Sequence, residues 1–507
     1  MAVRTAHKRA RTRRTSVWAA SLCVVIVAIV TLYGALRTIG QPPAPPSRAQ
    51  RVGSTPASVT APSSAAPGSL LFTQSACAPV YAAPSATAPL ITQLLGGTDV
   101  TLIDTATAGW THVRIWSHTD GYLASSALKT TPPAVAAEGD CTFPGVADPT
   151  PDVLPADNGP FPLSAQGRTT APTALYAWPA VSAPPVASAP MGAALRISQW
   201  ASDGEGQPWY HVQAGASAGW LWSGAVRLDD PDPATHQVSG KPVWAPVAGK
   251  GMWFTNYQTR HADLAHLMAD AKAAGITHIY AEVAISRWGF YAPLSLDRLL
   301  PVAHAQGIAV IAWVYPTLAN VAADVRMTQQ VAAYRSPGGD HADGIATDVE
   351  ETIDSASVYS YGQVIRGLLG PDMLLVDAAL HPFTHANYPY AAVAASWNVL
   401  APMDYWHSRR SHVYTVQDVT AFVNTSVVTI RAAMQSAGVA NPIPIEELGQ
   451  TYDMYSEDGA GVAHNPTGSE ITADLSAAKA LGCIGASYFE WQTATQSQWD
   501  ALSAFRW

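Results

Sequence analysis

Asp348 and Glu350 are the residues whose type and spacing best suit chemistry. They close the run Asp343-Gly344-Ile345-Ala346-Thr347-Asp348-Val349-Glu350. A β-strand alternates its faces, so Ala346, Asp348 and Glu350 point the same way. Two carboxylates on one face, at the end of an apolar strand, raise each other's pKa and keep a proton near neutral pH. A proton held that way is what a general acid needs to break a glycosidic bond. The competing reading puts these acids at a helix N-terminus, where the dipole favours them. A helix cap, however, does not require a shared strand face.

The elements that must carry this pair lie in residues 248–507, where apolar strand-like runs alternate with amphipathic stretches. The pattern predicts strands at 251–257, 277–285, 308–315, 344–350, 373–379, 399–405, 443–448 and 486–491, with helical stretches such as 261–274 and 360–369 between them. Eight βα units in about 260 residues is the size of a TIM barrel; an open doubly wound sheet is the alternative. No Gly-rich phosphate loop follows the first strand, so nothing supports a nucleotide partner.

A TIM barrel places its site at the C-terminal ends of the strands. Those ends read as an acidic, aromatic rim: Tyr257, Glu282, Trp313 and Tyr315, then Asp348 and Glu350, Asp377, Asp404 with Tyr405 and Trp406, Glu446 and Glu447, Gln450 and Tyr452, and Glu490 with Trp491. Carboxylates for proton transfer beside aromatic platforms suit a sugar substrate. Asp348, Glu350, Tyr405 and Asp404 are the catalytic candidates. Tyr257, Glu282, Trp313, Glu446, Gln450, Tyr452 and Trp491 are the candidates for holding substrate. Parity qualifies two of these: Asp404 opposes Met403 and Tyr405, and only one of Glu446 and Glu447 faces the axis. No Ser-His-Asp order or G-x-S-x-G elbow appears, which argues against acyl transfer. No CxxC pair or His cluster suggests a metal, and no cofactor is implied.

Ahead of the barrel the chain is modular. Residues 1–15 hold six of the 28 Lys and Arg and no acid, leaving 22 basic against 37 acidic residues in the rest. A body so acidic is a poor nucleic-acid binder. Residues 16–36 are mostly apolar and long enough to span a bilayer. The basic head keeps residues 1–15 in the cytoplasm and sends the remainder outside. The rival, a cleaved secretory signal, lacks a small-x-small site after the apolar run. Residues 37–68 form a Pro/Ala/Ser-rich stalk; similar stretches at 130–168 and 229–247 act as linkers. Cys77 and Cys141 flank one small domain in an oxidising compartment, which predicts a disulfide between them. Cys23 and Cys483 read as buried and inert.

The pieces at 69–129 and 169–228 repeat one another. Val80-Tyr81-Ala82-Ala83-Pro84 returns as Leu175-Tyr176-Ala177-Trp178-Pro179, and Gly109-Trp110-Thr111-His112-Val113 as Pro208-Trp209-Tyr210-His211-Val212. Gly121-Tyr122-Leu123 returns as Gly219-Trp220-Leu221. Short Gly-punctuated strands at this spacing read as two small barrels. Both resemble bacterial SH3-type domains, which implies wall-binding or spacer roles, with Trp178 and Trp222 exposed for sugar stacking and Trp110 and Trp209 in the core.

The C-terminal piece resembles the family-18 chitinases and related glycosyl hydrolases. Their fourth strand reads D-G-x-D-x-D-x-E, which Asp343, Gly344, Asp348 and Glu350 match, with Ala346 in place of the middle Asp. Their sixth-strand M-x-Y-D meets Met403 and Tyr405, with Trp406 in place of the Asp, and Trp491 stands for the eighth-strand Trp. The resemblance implies that Glu350 is the general acid and that Asp348 and Tyr405 orient a substrate N-acetyl group. A competing mechanism uses Glu446 or Glu447 as an enzymic nucleophile. The expected function is therefore a membrane-anchored extracellular glycosidase acting on cell-wall or extracellular polysaccharide, peptidoglycan included. The alternative is a catalytically silent wall-binding protein on the same barrel, or a purely structural anchor.

Overall fold

The computed structural model describes residues 65–75, 77–95, 98–105, 107–115, 119–131, 158–255, 263–408, 413–453 and 465–507. The basic head, the apolar stretch 16–36, the stalk up to residue 64, Tyr257 and Cys141 lie outside them, so the anchor and the Cys77–Cys141 bond do too. No helix among the described residues is long and apolar enough to cross a membrane.

Two seven-stranded sheets come first, spanning Leu70–Lys129 and Phe161–Leu228. Counted within each copy, both have the strand order third, second, sixth, fifth, fourth, first, seventh, so the sequence repeat is a repeat of topology. Side-chain geometry repeats as well. Tyr81 meets Trp110 edge-on at 5.6 Å, and Tyr176 meets Trp209 at the same 5.6 Å. Trp209 is buried and donates Nε1–H to Asp203 Oδ2 at 2.9 Å. Trp178 is exposed, whereas Trp222 is half-buried and lies over Gly224.

The second sheet begins before the boundary at 169. Phe161–Thr169 is a strand in which Leu163, Gly167 and Thr169 turn inward. Its period-2 alternation overrides the Pro/Ser composition that reads as linker. Residues 229–247 are likewise structured. They form a hairpin, Gln237–Val238 with Lys241–Pro242, and then bury Val243 and Val247 in the barrel interior. The second sheet is tied to the barrel by Leu228 N–H to Gln363 Oε1 at 2.9 Å and Tyr359 OH to Val226 O at 3.0 Å.

The barrel strands are β1 Gly249–Phe254, β2 His278–Ile285, β3 Ala309–Tyr315, β4 Gly344–Asp348, β5 Leu374–Ala379, β6 Val399–Pro402, β7 Glu446–Gln450 and β8 Gly485–Phe489. The helices are α1 Leu264–Ala273, α2 Pro293–Ala305, α3 Val321–Ala333, α4 Ser355–Leu369, α5 Tyr390–Ala394, α6 Val416–Ser436, α7 Gly468–Ala480 and α8 Gln496–Ala504. The strands pair in parallel from β1 through β6, and β1 also pairs β8, which pairs β7. Parallel bridges Leu400–Ile445 and Met403–Leu448 close the ring between β6 and β7. This is a closed eight-stranded parallel barrel with a helix after every strand, the TIM arrangement.

Parallel strands covered on both faces are apolar along their whole length, which is why the sequence runs are near-continuous. Trp253, Tyr280, Ile311, Trp313, Ala346, Val376, Ala401, Met403 and Leu448 fill the interior. Side-chain caps fix where the loops end. Asp354 accepts from Ala356 and Ser357 N–H, and Thr415/Asp418 and Thr467/Glu470 form capping boxes.

Candidate active site

The site begins where β4 ends. Asp348 is buried and Glu350 half-buried, two residues on along the same face. Their carboxyl groups lie within hydrogen-bonding reach of one another. Burial, then the charge of Glu350, pushes the Asp348 carboxyl well above the usual range. Burial raises Glu350 to about 7, with the bond to Asp348 working against it. The dianion is therefore disfavoured, and the pair keeps one proton around neutral pH.

Trp313, on β3, biases where that proton sits. Its indole Nε1–H donates to Asp348 Oδ2 at 3.1 Å, a bond that favours the ionised form of Asp348. That bond works against burial and the charge of Glu350, which otherwise hold the proton on Asp348. Trp313 cannot easily turn away, because its ring packs edge-on against Trp253 at 5.1 Å and Phe489 at 5.9 Å. Trp253 in turn stacks on Tyr280 at 4.1 Å.

Aromatic rings form the wall across from the acids. Tyr405 stacks on Phe489 at 6.3 Å and meets Tyr452 edge-on at 6.1 Å, and Phe489 meets Tyr452 at 5.9 Å. Burial, then Tyr452, then Asp348 and Glu350 raise the Tyr405 hydroxyl well above its ordinary pKa, so it stays a donor beside the pair. Glu490 follows Phe489. Burial and, secondarily, the charge of Glu282 raise it to about 8 against a bond from Gln492 Nε2 at 2.7 Å. Glu282 accepts from Tyr291 OH at 2.5 Å and is the register partner of Trp313. The structure thus brings Asp348, Glu350, Trp313, Tyr405, Tyr452 and Glu282 to one mouth.

It does not bring the remaining candidates there. Asp404 has outward parity on the β6 run and accepts from Ser426 Oγ of α6 at 2.7 Å. Behind the barrel it lies within hydrogen-bonding reach of Glu447, and Asp474 of α7 acts on both. Burial raises Asp404 to about 8 and Asp474 to about 7, so these acids form a buried cluster, away from the mouth, that favours holding protons. Glu446 does face the axis, but deep in the barrel. It meets His278 Nε2 at 2.8 Å and accepts from Tyr280 OH. Neither strand-seven acid is placed to attack a sugar held by Glu350. Gln450 is buried and braces the loop after β6, accepting from His407 N–H at 2.7 Å and donating to Tyr452 O at 2.7 Å. Trp491 is buried against Phe254 at 4.7 Å and Trp499 at 4.5 Å, in the layer between barrel and α8. Tyr257 lies outside the described residues.

One residue of this mouth, Phe489, is absent from the rim read from the sequence. Phe489 occupies the position assigned to Trp491, and the signal for it was parity, since both share a face of the predicted strand. Glu490 joins it at the rim. Asp377 has its back to the interior, held by Thr347 Oγ1 at 3.0 Å and Tyr388 OH at 2.8 Å. Among the described residues no group of three or more His, Cys, Asp or Glu could hold a metal ion.

Comparison with known proteins adds a family match over the first small sheet. Residues 80–128 match the family described as bacterial dipeptidyl-peptidase Sh3 domain. No curated protein matches the chain. Among solved structures, the chain is similar to the spore cortex-lytic enzyme SleL of Bacillus megaterium QM B1551, at 15% identity over 51% of this chain and 74% of that one, with a TM-score of 0.36. It is similar to a chitinase of Rhizomucor miehei at 12% identity, over 51% and 99%, TM-score 0.37. A class V chitinase of Nicotiana tobaccum follows at 11%, over 50% and 97%, TM-score 0.36. The architecture stands on the strand order and the closing bridges rather than on these scores.

Proposed function

We propose that the chain is a glycoside hydrolase, held outside the cell membrane by residues 16–36, that cleaves a cell-wall or extracellular polysaccharide carrying N-acetyl sugars. The observation that carries the reading is the placement of Asp348 and Glu350, two carboxyls on one face, buried and half-buried, where β4 ends at the C-terminal mouth of a closed barrel. Glu350 donates that proton to the glycosidic oxygen as the bond to C1 breaks. The carbonyl oxygen of the substrate's own N-acetyl group attacks C1 from the opposite side, forming an oxazolinium ion. Ionised Asp348 stabilises its positive charge, and Tyr405 orients the group. Water then adds at C1 and gives its proton to Glu350, restoring the acid and leaving the anomeric configuration unchanged.

The positions of Glu446 and Glu447 support substrate assistance over a strand-seven nucleophile, since one is bound deep in the barrel and the other faces α7. The two SH3-like sheets serve as spacer and wall-binding modules, with the exposed Trp178 as a stacking platform.

The test is incubation of the full-length protein, in mild detergent, with peptidoglycan strands, chitin oligomers and N-acetyl-free glucans. Reducing ends and the first-formed anomer are then followed by proton NMR. Cleavage confined to N-acetyl sugars, with retained configuration, is the expected result. Cleavage of plain glucans, or inversion, would refute the mechanism. Binding without any cleavage would move the chain to the silent wall-binding reading.

A further inference from the structure

Arg287 is the single Lys or Arg in the described parts of the loops that follow the eight barrel strands. The same loops carry Glu350, Glu351, Asp354, Asp453 and Glu490. An exposed arginine on so acidic a rim would ordinarily take a carboxylate partner, yet among the described residues Arg287 pairs with none. Its guanidinium instead lies over the ring of Trp288, 4.5 Å from the centroid. Arg287 is exposed, and stacking on a ring face leaves the edge of a planar guanidinium open for hydrogen bonds.

The platform under it is fixed and connected to the catalytic pair. Ser286 N–H donates to Tyr315 O at 3.0 Å, and Ser286 Oγ donates to Asp324 Oδ1 at 2.5 Å, pinning the loop to β3 and α3. Trp288 meets Tyr291 edge-on at 5.4 Å, and Tyr291 donates to Glu282, the register neighbour of Trp313. A pre-positioned guanidinium with a free edge is suited to bidentate capture of a carboxylate. A polyanionic substrate would otherwise be repelled from a mouth lined with acids.

We propose that Arg287, held on Trp288, is a specificity subsite for a sugar bearing a carboxylate, such as the lactyl ether of muramic acid. The substrate is then an acidic glycan and not a neutral chitin-like one. This rests on the glycosidase reading only for the word substrate, so the test reads binding without turnover. Two soluble glycan fragments would be compared, identical except that the carboxylates of one are reduced to alcohols. Each is titrated into the full-length native protein and into Arg287→Ala. The native protein should bind the carboxylated fragment about tenfold more tightly than the reduced one, the worth of one good charged contact. Arg287→Ala should bind both with the native affinity for the reduced fragment. Equal binding of both by the native protein, a preference surviving in Arg287→Ala, or no binding of either would overturn the assignment. Cleavage of the carboxylated fragment by the native protein is scored separately, so loss of the glycosidase reading appears there alone.

Discussion

Replacing Trp313 by Phe removes one hydrogen-bond donor while keeping an aromatic ring against Trp253 and Phe489. The 3.1 Å bond from Nε1–H to Asp348 Oδ2 stabilises only those states in which Asp348 is ionised. A hydrogen bond to a charged group is worth roughly 1.5–3 kcal/mol, and one pKa unit is about 1.36 kcal/mol. Its loss therefore raises the Asp348 pKa by roughly 1–2 units. In the singly protonated pair that bond favours only the form with the proton on Glu350, so its loss depletes this form, the one with an acid ready for the glycosidic oxygen, about tenfold or more. The dianion loses the same bond, so the pair gives up its last proton at higher pH. Trp313→Phe should therefore lower kcat about tenfold or more and move the alkaline limb of the kcat–pH profile upward, never downward. The profile would be recorded from pH 4 to 9 on an N-acetyl glycan, with circular dichroism to verify the fold. A uniform fall in rate with an unmoved profile would show that Trp313 acts only by packing, and a limb moved to lower pH would refute the proton assignment.

Tyr405→Phe keeps the ring on Phe489 and Tyr452 but removes the hydroxyl facing the acid pair, so kcat/KM should fall about tenfold with the melting temperature nearly unchanged. Phe489→Ala, at a half-buried position touching Trp313, Tyr405 and Tyr452, should cost about 2 kcal/mol of stability by chemical denaturation and also raise KM; intact kinetics would remove Phe489 from the site. The cluster behind the barrel sets a pH dependence of stability. Asp404 is raised to about 8 and Asp474 to about 7, above the unfolded value near 4. Their stabilisation is complete below about pH 4 and is lost as pH rises through about 8. Asp404→Asn keeps an acceptor for Ser426, and its melting temperature should fall less than the native one between pH 5 and 9; identical slopes would contradict this.

The barrel was legible because its strands are buried on both faces, so each reads as an apolar run of strand length with a helix-sized gap behind it. The parity of Asp348 and Glu350 was legible for the same reason, as was the opposition of Asp404 to Tyr405. Depth along a strand was not. Glu446 reads as a rim residue when β7 is placed at 443–448, but the strand runs Glu446–Gln450, and its first residue sits deep against His278. Trp491 reads as a floor residue if β8 continues to it. The strand stops at Phe489, the chain turns into a 3-10 segment at Trp491–Thr493, and Phe489 takes the inward place. Sequence composition also hid Phe161–Thr169, whose Pro and Ser resemble linker although its alternation is that of a strand.

The central claim is that Glu350 supplies the proton that breaks a glycosidic bond. Glu350→Gln and native full-length protein should be compared on a natural N-acetyl glycan and on an aryl glycoside whose phenolate leaves without protonation. The variant should lose roughly 10²–10⁴-fold on the natural glycan, the range for a general acid, and keep most of its bond-cleavage rate on the activated glycoside. Equal losses on both substrates, or native rates on the glycan, would contradict the account.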